Sequence, residues 1–354
     1  MSEKKIIIGL SGGVDSSVAA LLLKEQGYNV VGLFMRNWHE KDDFGHCTSE
    51  QDYDDARRVA DALDIPYYSI DFSKQYMEEV FSLFVSEYEK GRTPNPDELC
   101  NKEIKFGHFK HYAKTLGFNL ISTGHYAGIL EKNGRTYLTR AKDEGKDQTY
   151  FLNQLTEEQI KNVVFPLADL TKDEVRKIAK KYNLPTATKK DSTGICFIGE
   201  RDFRKFLSEY IPMKKGMILS LEGKELGTHN GVFYYTIGQR KGLGIGGAGT
   251  GEPYFVVKKD VKNNILYVNQ GECEELFYKS LTTSDFNFIT EPVEEGKRVY
   301  ARTRHRQPLI PSTVTYTEGG KLKLLFDTPI RAVTPGQYAV IYDDKICLGG
   351  GIIE

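Results

Sequence analysis

The chain has 354 residues, of which 40% are hydrophobic and 27% are charged, and its formal net charge is −1 at pH 7. These values are typical of a soluble globular protein of two or three domains. No apolar run is long enough to span a bilayer, and residues 1–5 do not open a signal peptide, so we expect a cytoplasmic protein without a membrane partner. A near-neutral chain can bind nucleic acid only through local basic patches.

Five cysteines stand far apart, at positions 47, 100, 196, 273 and 347. This spacing matches neither a disulfide framework nor a Cys-x-x-Cys zinc or redox pair, and it fits a reducing compartment.

The segment 6–17 reads Ile-Ile-Ile-Gly-Leu-Ser-Gly-Gly-Val-Asp-Ser-Ser. It predicts a buried strand over 6–8, a glycine turn, and a helix over 18–26 capped by Ser16 or Ser17. The backbone N–H groups at such a helix start suit a phosphate. Asp15 is unusual beside an anion, and it therefore implies Mg²⁺ on a bound nucleotide. The Walker A lysine is absent, and the pattern resembles the PP-loop of ATP pyrophosphatases, which implies AMP transfer to a substrate oxygen.

Further along the chain, we predict strands over 30–35, 67–71 and 120–123 and helices over 54–63, 74–90 and 98–116. Alternating strands and helices indicate a doubly wound parallel α/β sheet, with ligands at the carboxyl ends of the strands. The Ser-Gly-Gly loop and Gly124–His125 both fall at that edge. Between them in the chain, residues 91–97 form a rigid loop with two prolines.

The segments that follow lead to a change in texture at residue 212. Asn133–Gly134 predicts a hairpin, and Thr171 with Glu174 predicts a capping box for a helix that ends at residue 182. A polar loop covers 185–197, a helix covers 202–210, and short strands follow from 212 onward. We therefore expect a catalytic domain over 1–199, a small β-rich domain over 200–274 and a C-terminal β-barrel over 275–354.

Two cysteines lie in loops that a parallel sheet would bring to its active edge. Cys100 falls in the first turn of a predicted helix, where the helix dipole favours a thiolate, although Asp97 and Glu98 oppose it. Cys196 lies in the polar loop 185–197. A lone cysteine is more often a small buried residue, and that interpretation is kept for the other three.

A cationic stretch with no acidic residue occupies the last third of the chain. It contains Lys297, Arg298, Arg302, Arg304, His305 and Arg306. Two interpretations stay open at this point, an ordinary charged edge strand or a surface that contacts a phosphate backbone.

Several motifs together resemble the bacterial tRNA-specific 2-thiouridylases of the MnmA type. They are Ser-Gly-Gly-Val-Asp-Ser at 11–16, Thr-Pro-Asn-Pro-Asp at 93–97 with Cys100–Asn101, Thr-Gly-His-Tyr at 123–126, Lys-Asp-Gln-Thr-Tyr at 146–150, the segment 191–200, Tyr-Thr-Ile-Gly-Gln-Arg at 235–240 and Thr-Pro-Gly-Gln at 334–337. The resemblance covers nearly the whole chain.

The resemblance implies the following site residues. ATP, with Mg²⁺ at Asp15, would be held by Gly9, Leu10, Ser11, Gly12, Gly13, Val14, Asp15, Ser16, Met35 and Gly124. The target uridine would meet Asn95, Pro96 and Asp97, with Asp97 as the acid–base group. The tRNA would contact His125, Lys146, Asp147, Gln148, Arg304, His305 and Gln337.

The resemblance also implies a two-stage reaction. ATP adenylates the C2 oxygen of the wobble uridine (position 34) of tRNA, with the lysine, glutamate and glutamine tRNAs as substrates. Cys196 carries sulfur as a persulfide from a cysteine desulfurase or a sulfur-relay protein, and Cys100 is the nucleophile that releases the sulfur or resolves the disulfide. The products are 2-thiouridine, AMP and pyrophosphate. The target base must leave its stack to reach the site.

Two rival functions belong to other classes. Another PP-loop adenylating enzyme would share the ATP loop but would not need paired cysteines. A non-catalytic RNA-binding protein built around the C-terminal barrel would not need Asp15.

The two cysteines also leave two chemistries open, persulfide transfer and an iron–sulfur cluster. A cluster normally takes four thiolates, whereas only Cys100 and Cys196 fall in the predicted site. We predict that the metal-free protein is active with a desulfurase. Cys196→Ser should lose the labelled persulfide, and Cys100→Ser should keep it yet form no 2-thiouridine, while both adenylate tRNA. Activity that follows iron content, with an inert metal-free form, would contradict the persulfide scheme.

Overall fold

The computed structural model describes residues 4–39, 48–191, 202–246 and 251–354. Its helices are α1 (Val14–Glu25), α2 (Thr48–Leu63), α3 (73–89), α4 (96–115), α5 (Glu157–Ile160), α6 (Lys172–Lys181) and α7 (Phe203–Ser208), with 3₁₀ turns at Thr149–Leu152, Val232–Tyr234 and Glu274–Leu276. The helices α3 and α4 contain π-helical segments at Met77–Phe81 and Cys100–His108. Within these ranges no helix combines the length and the apolar character needed to cross a bilayer.

Seventeen strands fall in the described ranges. They are β1 (Lys5–Gly9), β2 (Asn29–Arg36), β3 (Tyr67–Asp71), β4 (Leu120–Ser122), β5 (Ala127–Lys132), β6 (Arg135–Arg140), β7 (Val163–Val164), β8 (Gly216–Ser220), β9 (Glu225–His229), β10 (Tyr254–Asp260), β11 (Ile265–Gln270), β12 (Phe277–Phe288), β13 (Arg298–Arg302), β14 (Ile310–Tyr316), β15 (Leu322–Arg331), β16 (Tyr338–Asp343) and β17 (Ile346–Ile353).

The N-terminal sheet has five parallel strands in the order β3-β2-β1-β4-β7. Alternate residues of β1 enter different hydrophobic cores, because successive side chains of a strand point to opposite faces. Ile7 packs with residues of α3 and α4, whereas Ile6 and Ile8 pack with α1, α2 and α6. The expected doubly wound α/β fold is therefore confirmed.

The start of α1 differs from the expectation. The helix begins at Val14, four residues earlier than predicted, with Gly13 at the N-cap position. Ser16 and Ser17 do not cap it, since both hydroxyls donate back to the Gly13 carbonyl, at 3.2 and 2.7 Å. The serines therefore lie inside the first turn, and the amide groups ahead of them keep no side-chain cap from the described residues.

The two C-terminal sheets follow the predicted β-rich texture. A four-stranded sheet has the order β10-β11-β8-β9. Six further strands pair antiparallel in the order β12-β15-β14-β13-β16-β17, and β17 pairs again with β12, which closes a barrel. Its interior is a separate hydrophobic core.

The barrel is joined to the N-terminal part by the hairpin predicted at Asn133–Gly134. Strands β5 and β6 turn at Asn133–Gly134, where both residues have positive φ, as expected for this turn. However, β6 pairs with β17, so the hairpin extends the barrel sheet and not the parallel one. The chain order therefore does not separate these two parts of the fold.

For the cationic stretch, the structure contradicts one of the two interpretations, that of a charged edge strand. Strand β13 pairs with β14 on one side and with β16 on the other, so it is not an edge strand. Its Arg302 is 4% exposed, and its guanidinium lies 2.9 Å from the carboxylate of Asp147, which is 1% exposed. This buried ion pair ties the segment after the hairpin to the barrel.

Two arginines of β13 allow a matched test of the buried pair. Arg302→Leu should lower the free energy of unfolding by about 3–5 kcal/mol, because it leaves the Asp147 charge buried without its nearest partner. Arg298→Leu removes an exposed pair with Asp327 and should cost far less, because solvent screens that pair. Urea unfolding measures both variants, and equal losses would mean that the Asp147–Arg302 pair is not the stronger of the two.

Candidate active site

The loop 9–16 lies at the carboxyl end of β1, as predicted. Its hydroxyls form a small internal frame, in which Ser16 Oγ accepts a hydrogen bond from the Ser11 amide at 3.2 Å and lies 3.1 Å from Ser11 Oγ. The first amide groups of a helix have no partner within the helix, and here no described side chain caps them. The loop can therefore present several N–H donors and the positive end of α1 to an anion.

Tight backbone approaches shape this loop. Gly12 has φ of +70°, and a Cβ there would lie 2.3 Å from the Asp52 carbonyl oxygen. A Cβ on Gly124, just past β4, would lie 2.7 Å from the Ser16 nitrogen. The loop and the end of β4 are thus in contact, as expected for one ligand site. The side chains of Leu10 and Val14 are buried, so these two residues offer only backbone groups to a ligand.

Met35 closes the other side of the same edge. Its methyl group lies 2.9 Å from where a Gly9 Cβ would be, and Phe109 of α4 lies 3.8 Å from that point. The residues expected to hold ATP therefore lie together at one edge of the sheet.

Asp15 has basic and hydroxyl partners that sequence reasoning did not identify. Its carboxylate accepts hydrogen bonds from Lys172 Nζ, at 2.7 and 2.8 Å, and from the Tyr126 hydroxyl at 2.9 Å. Lys172 is 9% exposed and also lies 2.8 Å from Asp191. Burial alone would raise the pKa of Asp191, but hydrogen bonds from Lys146 and Lys172 hold it well below its ordinary value. One lysine thus bridges the two carboxylates.

A second lysine, Lys189, ties the same region to the loop. Its Nζ donates to the Gly12 carbonyl at 3.0 Å and to Asp52 at 2.7 Å. Neither Lys172 nor Lys189 belongs to a recognisable short motif. Lys172 stands at the first position of the helix predicted from the capping box, and only the fold shows that this helix start faces Asp15.

The proline-containing loop leads directly into α4. Asn95 is the N-cap, and its side-chain oxygen accepts a hydrogen bond from the Asp97 amide at 3.1 Å, with Pro96 at the first helical position. Burial raises the pKa of Asp97 above its ordinary value, while the positive charge of Lys105 opposes the shift. A raised pKa makes a carboxylate a stronger base than an ordinary aspartate, as a residue that accepts a proton requires.

Glu98 is fully buried, and neither carboxylate oxygen has a hydrogen-bond partner among the described residues. Burial, followed by the nearby Asp97 charge, raises the pKa of Glu98 well above its ordinary value, which favours the neutral acid. A neutral acid does not repel a thiolate. The expected opposition of Glu98 to a Cys100 thiolate is therefore weaker than the sequence indicates.

The described cysteines occupy different environments. Cys100 is 4% exposed and opens the π-helical segment of α4. The helix starts at Pro96, so Cys100 lies just past the first turn in which it was predicted, and the effect of the helix dipole on its thiol is weaker than expected. Cys347 lies in the barrel strand β17, where burial raises its pKa, and Cys273 precedes a 3₁₀ turn. Cys47 and Cys196 lie outside the described residues. The predicted pairing of Cys100 with Cys196 thus stays a prediction.

His125 lies just past β4 and is 8% exposed. Its Nδ1 lies 2.7 Å from Thr123 Oγ1, and its ring packs against Phe106 of α4 and Phe165. Burial and then the Lys105 charge hold the pKa of His125 well below its ordinary value, so the neutral imidazole is favoured.

The three residues 146–148 all make internal contacts. Lys146 donates to Asp191 at 2.7 Å, Asp147 pairs with Arg302, and Gln148 Oε1 accepts a hydrogen bond from the Tyr126 amide at 2.9 Å. The Asp147 carboxylate is enclosed by Arg302 and by Arg140, at 3.9 Å. Direct readout of tRNA by that carboxylate would therefore require the pair to open.

The expected tRNA contacts in the barrel are also engaged with the protein. Arg304 donates to the Ala332 carbonyl at 2.6 Å and to Thr334 Oγ1 at 2.8 Å. The His305 ring lies 4.5 Å from the Phe151 ring, and burial followed by nearby arginine charges lowers its pKa to about 4. Gln337 Nε2 donates to the Thr93 carbonyl at 2.7 Å. In contrast, the neighbouring Arg306 is exposed.

The geometry of Asp15 yields a direct prediction. Asp15→Ala should reduce pyrophosphate release from ATP by about 100-fold or more, since it removes the carboxylate expected to hold the nucleotide-bound cation. The fold should stay intact, as judged by circular dichroism. Asp61→Ala, on the exposed face of α2, is the control and should match the wild type. Unchanged pyrophosphate release by Asp15→Ala would remove the ATP-loop assignment.

Three family models match the chain in succession. Residues 4–200 match a model described as tRNA methyl transferase HUP domain, residues 204–270 match tRNA methyl transferase PRC-barrel domain, and residues 278–353 match Aminomethyltransferase beta-barrel domain.

Curated relatives match over their full length. A tRNA-specific 2-thiouridylase MnmA of Alkaliphilus oremlandii is 54% identical over 354 residues, covering 99% of this chain and 97% of that protein. MnmA 1 of Geobacillus kaustophilus is 54% identical, covering 100% and 96%, and MnmA of Listeria monocytogenes is 53% identical, covering 100% and 95%. The family models carry methyl transferase names, but these full-length relatives are named 2-thiouridylases, and identity at this level over the whole chain decides between the two names. The chain therefore belongs to the MnmA family of tRNA-specific 2-thiouridylases.

Proposed function

We propose that this protein is an ATP-dependent tRNA uridine 2-sulfurtransferase. The observation that carries the proposal is the full-length identity of about 54% with named 2-thiouridylases. The site is consistent with it, because an uncapped helix start, a close-packed glycine loop and a proline-braced acidic loop occur in one protein. The proposed target is the wobble uridine of tRNA, adenylated at its C2 oxygen.

ATP fits the loop as a substrate. The amide groups at the start of α1 and the exposed hydroxyl of Ser11 form a cradle for phosphate oxygens, and a Cβ at Gly12 would clash with Asp52 and distort it. Mg²⁺ held at Asp15 would neutralise the charge of the leaving pyrophosphate, and it would share that carboxylate with Lys172, whose Nζ donates to both of its oxygens. Lys172, which lies on Asp15, adds a positive charge at the same place.

The proline-containing loop and the start of α4 would receive the uridine. Asn95 and Pro96 fix the first turn of α4, and Asp97 can exchange a proton because burial has raised its pKa. We propose that Cys100 is the nucleophile and that Cys196 carries the persulfide, supplied by a cysteine desulfurase or a relay protein. In this scheme the terminal persulfide sulfur of Cys196 attacks C2 and displaces AMP. The Cys100 thiolate then attacks the Cys196 sulfur, which releases 2-thiouridine and leaves a Cys100–Cys196 disulfide that an external thiol reduces.

The division of labour between the parts of the chain is also proposed. Residues 1–199 would carry the chemistry, and the regions 200–274 and 275–354 would help to hold tRNA. Lys146, Arg304, His305 and the neighbouring Arg306 would face the RNA, while Asp147 would act by positioning its loop through Arg302. We place the reaction in the cytoplasm, where tRNA and ATP are both present.

A reconstituted reaction tests the function and separates its rivals. The purified protein is incubated with ATP, an unmodified glutamate tRNA transcript and a persulfide-generating cysteine desulfurase, and nucleosides are analysed by mass spectrometry. We expect 2-thiouridine together with AMP and pyrophosphate, and we expect Asp97→Asn to lose about 100-fold or more in rate.

The other outcomes are equally informative. AMP release with an unmodified tRNA would indicate a PP-loop enzyme that acts on a different substrate. Binding of tRNA without any ATP consumption would indicate a non-catalytic RNA-binding protein.

A further inference from the structure

Thr93, in the loop before α4, has all of its polar groups occupied by distant parts of the chain. Its amide donates to the Pro335 carbonyl at 2.9 Å, and its carbonyl accepts a hydrogen bond from Gln337 Nε2 at 2.7 Å. Its hydroxyl lies 3.3 Å from the hydroxyl of Thr236. Thr93 is thus held by the C-terminal barrel and by the central region at once.

The barrel reaches Thr93 through a tight turn. Gly336 has φ of +91°, and a Cβ there would lie 2.8 Å from both Arg92 Cβ and the Thr93 nitrogen, so only glycine allows this approach. The turn itself is fixed to the barrel, because the Gly336 amide donates to the Ile353 carbonyl at 2.9 Å and the Ile353 amide donates to the Gln337 carbonyl at 2.8 Å.

The C-terminal barrel and the central region, which both contact Thr93, are also bound to each other. The Arg304 guanidinium donates to the Ile237 carbonyl at 3.2 Å and to the Ala332 carbonyl at 2.6 Å. Ile237 follows Thr236, and Ala332 lies close to the Pro335 turn. The contact with Thr93 therefore comes from a cross-linked surface and not from two independent loops.

The backbone between Thr93 and Asp97, the proposed acid–base group, is short and conformationally restricted. Pro94 and Pro96 each fix a backbone φ and restrict the residue before them. Asn95, between the prolines, caps the helix that carries Asp97. A displacement of Thr93 is thus passed to Asp97, because little of the intervening backbone can absorb it.

We propose that Thr93 positions the catalytic loop, and that Gln337 and Thr236 set its place through their hydrogen bonds to it. This inference rests on the proposed function. It assigns the barrel and the central region a part in the chemical step besides any part in tRNA binding. The motifs 235–240 and 334–337 thereby gain a role at the active site.

The test separates positioning from tRNA contact. The single-turnover rate of tRNA adenylation is measured at saturating tRNA, and the dissociation constant for tRNA is measured separately. Gln337→Met should lower the rate by about 10-fold to 100-fold, since small misplacements of reacting groups cost this much. Thr236→Val should lower it several-fold. The dissociation constant should stay within about two-fold of the wild type for both.

Matched controls distinguish positioning from general damage. Gln154→Met removes another half-buried glutamine bond to the barrel, at 2.7 Å to the Gly350 carbonyl, and Thr315→Val removes a threonine bond on the outer barrel. Both should adenylate like the wild type. In a double-mutant cycle, Thr93→Val with Thr236→Val should be no slower than the slower single variant, because both remove one shared bond.

Each outcome has a defined meaning. If the wild type adenylates tRNA but Gln337→Met and Thr236→Val match it, the positioning role is wrong while the proposed function stands. A weaker tRNA affinity at an unchanged saturating rate would assign Gln337 to tRNA contact and overturn the inference. If the wild type itself does not adenylate tRNA, the proposed function fails first.

Discussion

The uncapped start of α1 is the feature on which the rest of the site depends. A helix needs partners for its first amide groups, and this helix has none from described side chains because Ser16 and Ser17 bond back to Gly13. The left-handed bend at Gly12 and the close approach of Gly124 keep that helix end open toward the edge of the sheet. An anionic ligand would complete the missing contacts. Two positively charged side chains also reach this edge. Lys172 contacts Asp15, and Lys189 donates to the Gly12 carbonyl.

Buried charge joins the N-terminal part to the barrel. The Asp147–Arg302 pair is buried where these two parts meet, and removing either residue would leave the other without its nearest counter-charge. Such a pair adds little net stability over apolar residues, but it does require one relative placement of the two parts. The hydrogen bonds at Thr93 require the same placement from another direction. Together these contacts tie a barrel that is distant in sequence to the loop before α4.

Burial shifts the two carboxyl groups at the start of α4 toward their neutral forms. Asp97 and Glu98 have raised pKa values because burial disfavours their charged forms. A helix start normally stabilises negative charge, so these two groups lose ionisation where the dipole alone would promote it. Cys100, two residues after Glu98 in the chain, therefore has a sequence neighbour that favours the neutral acid and does not oppose a thiolate.

The sequence by itself determined the parallel sheet, the ATP-type loop and the proline-braced acidic loop, because each rests on local rules. The run Ile6–Ile8 reads as a buried strand, Gly12 permits a bend closed to other residues, and Asn95–Pro96 starts a helix. The same local reading placed the start of α1 four residues late, since a serine near a helix start can either cap the helix or bond back within its first turn.

Only the tertiary structure decided which distant groups meet. It showed that β13 is an interior strand, that Arg302 is buried on Asp147, that Lys172 bridges Asp15 and Asp191, and that Gln337 holds Thr93. A charged side chain looks the same in sequence whether it faces solvent or a buried partner. The difference arises from long-range strand pairing and domain contact, and no local pattern in the chain records it.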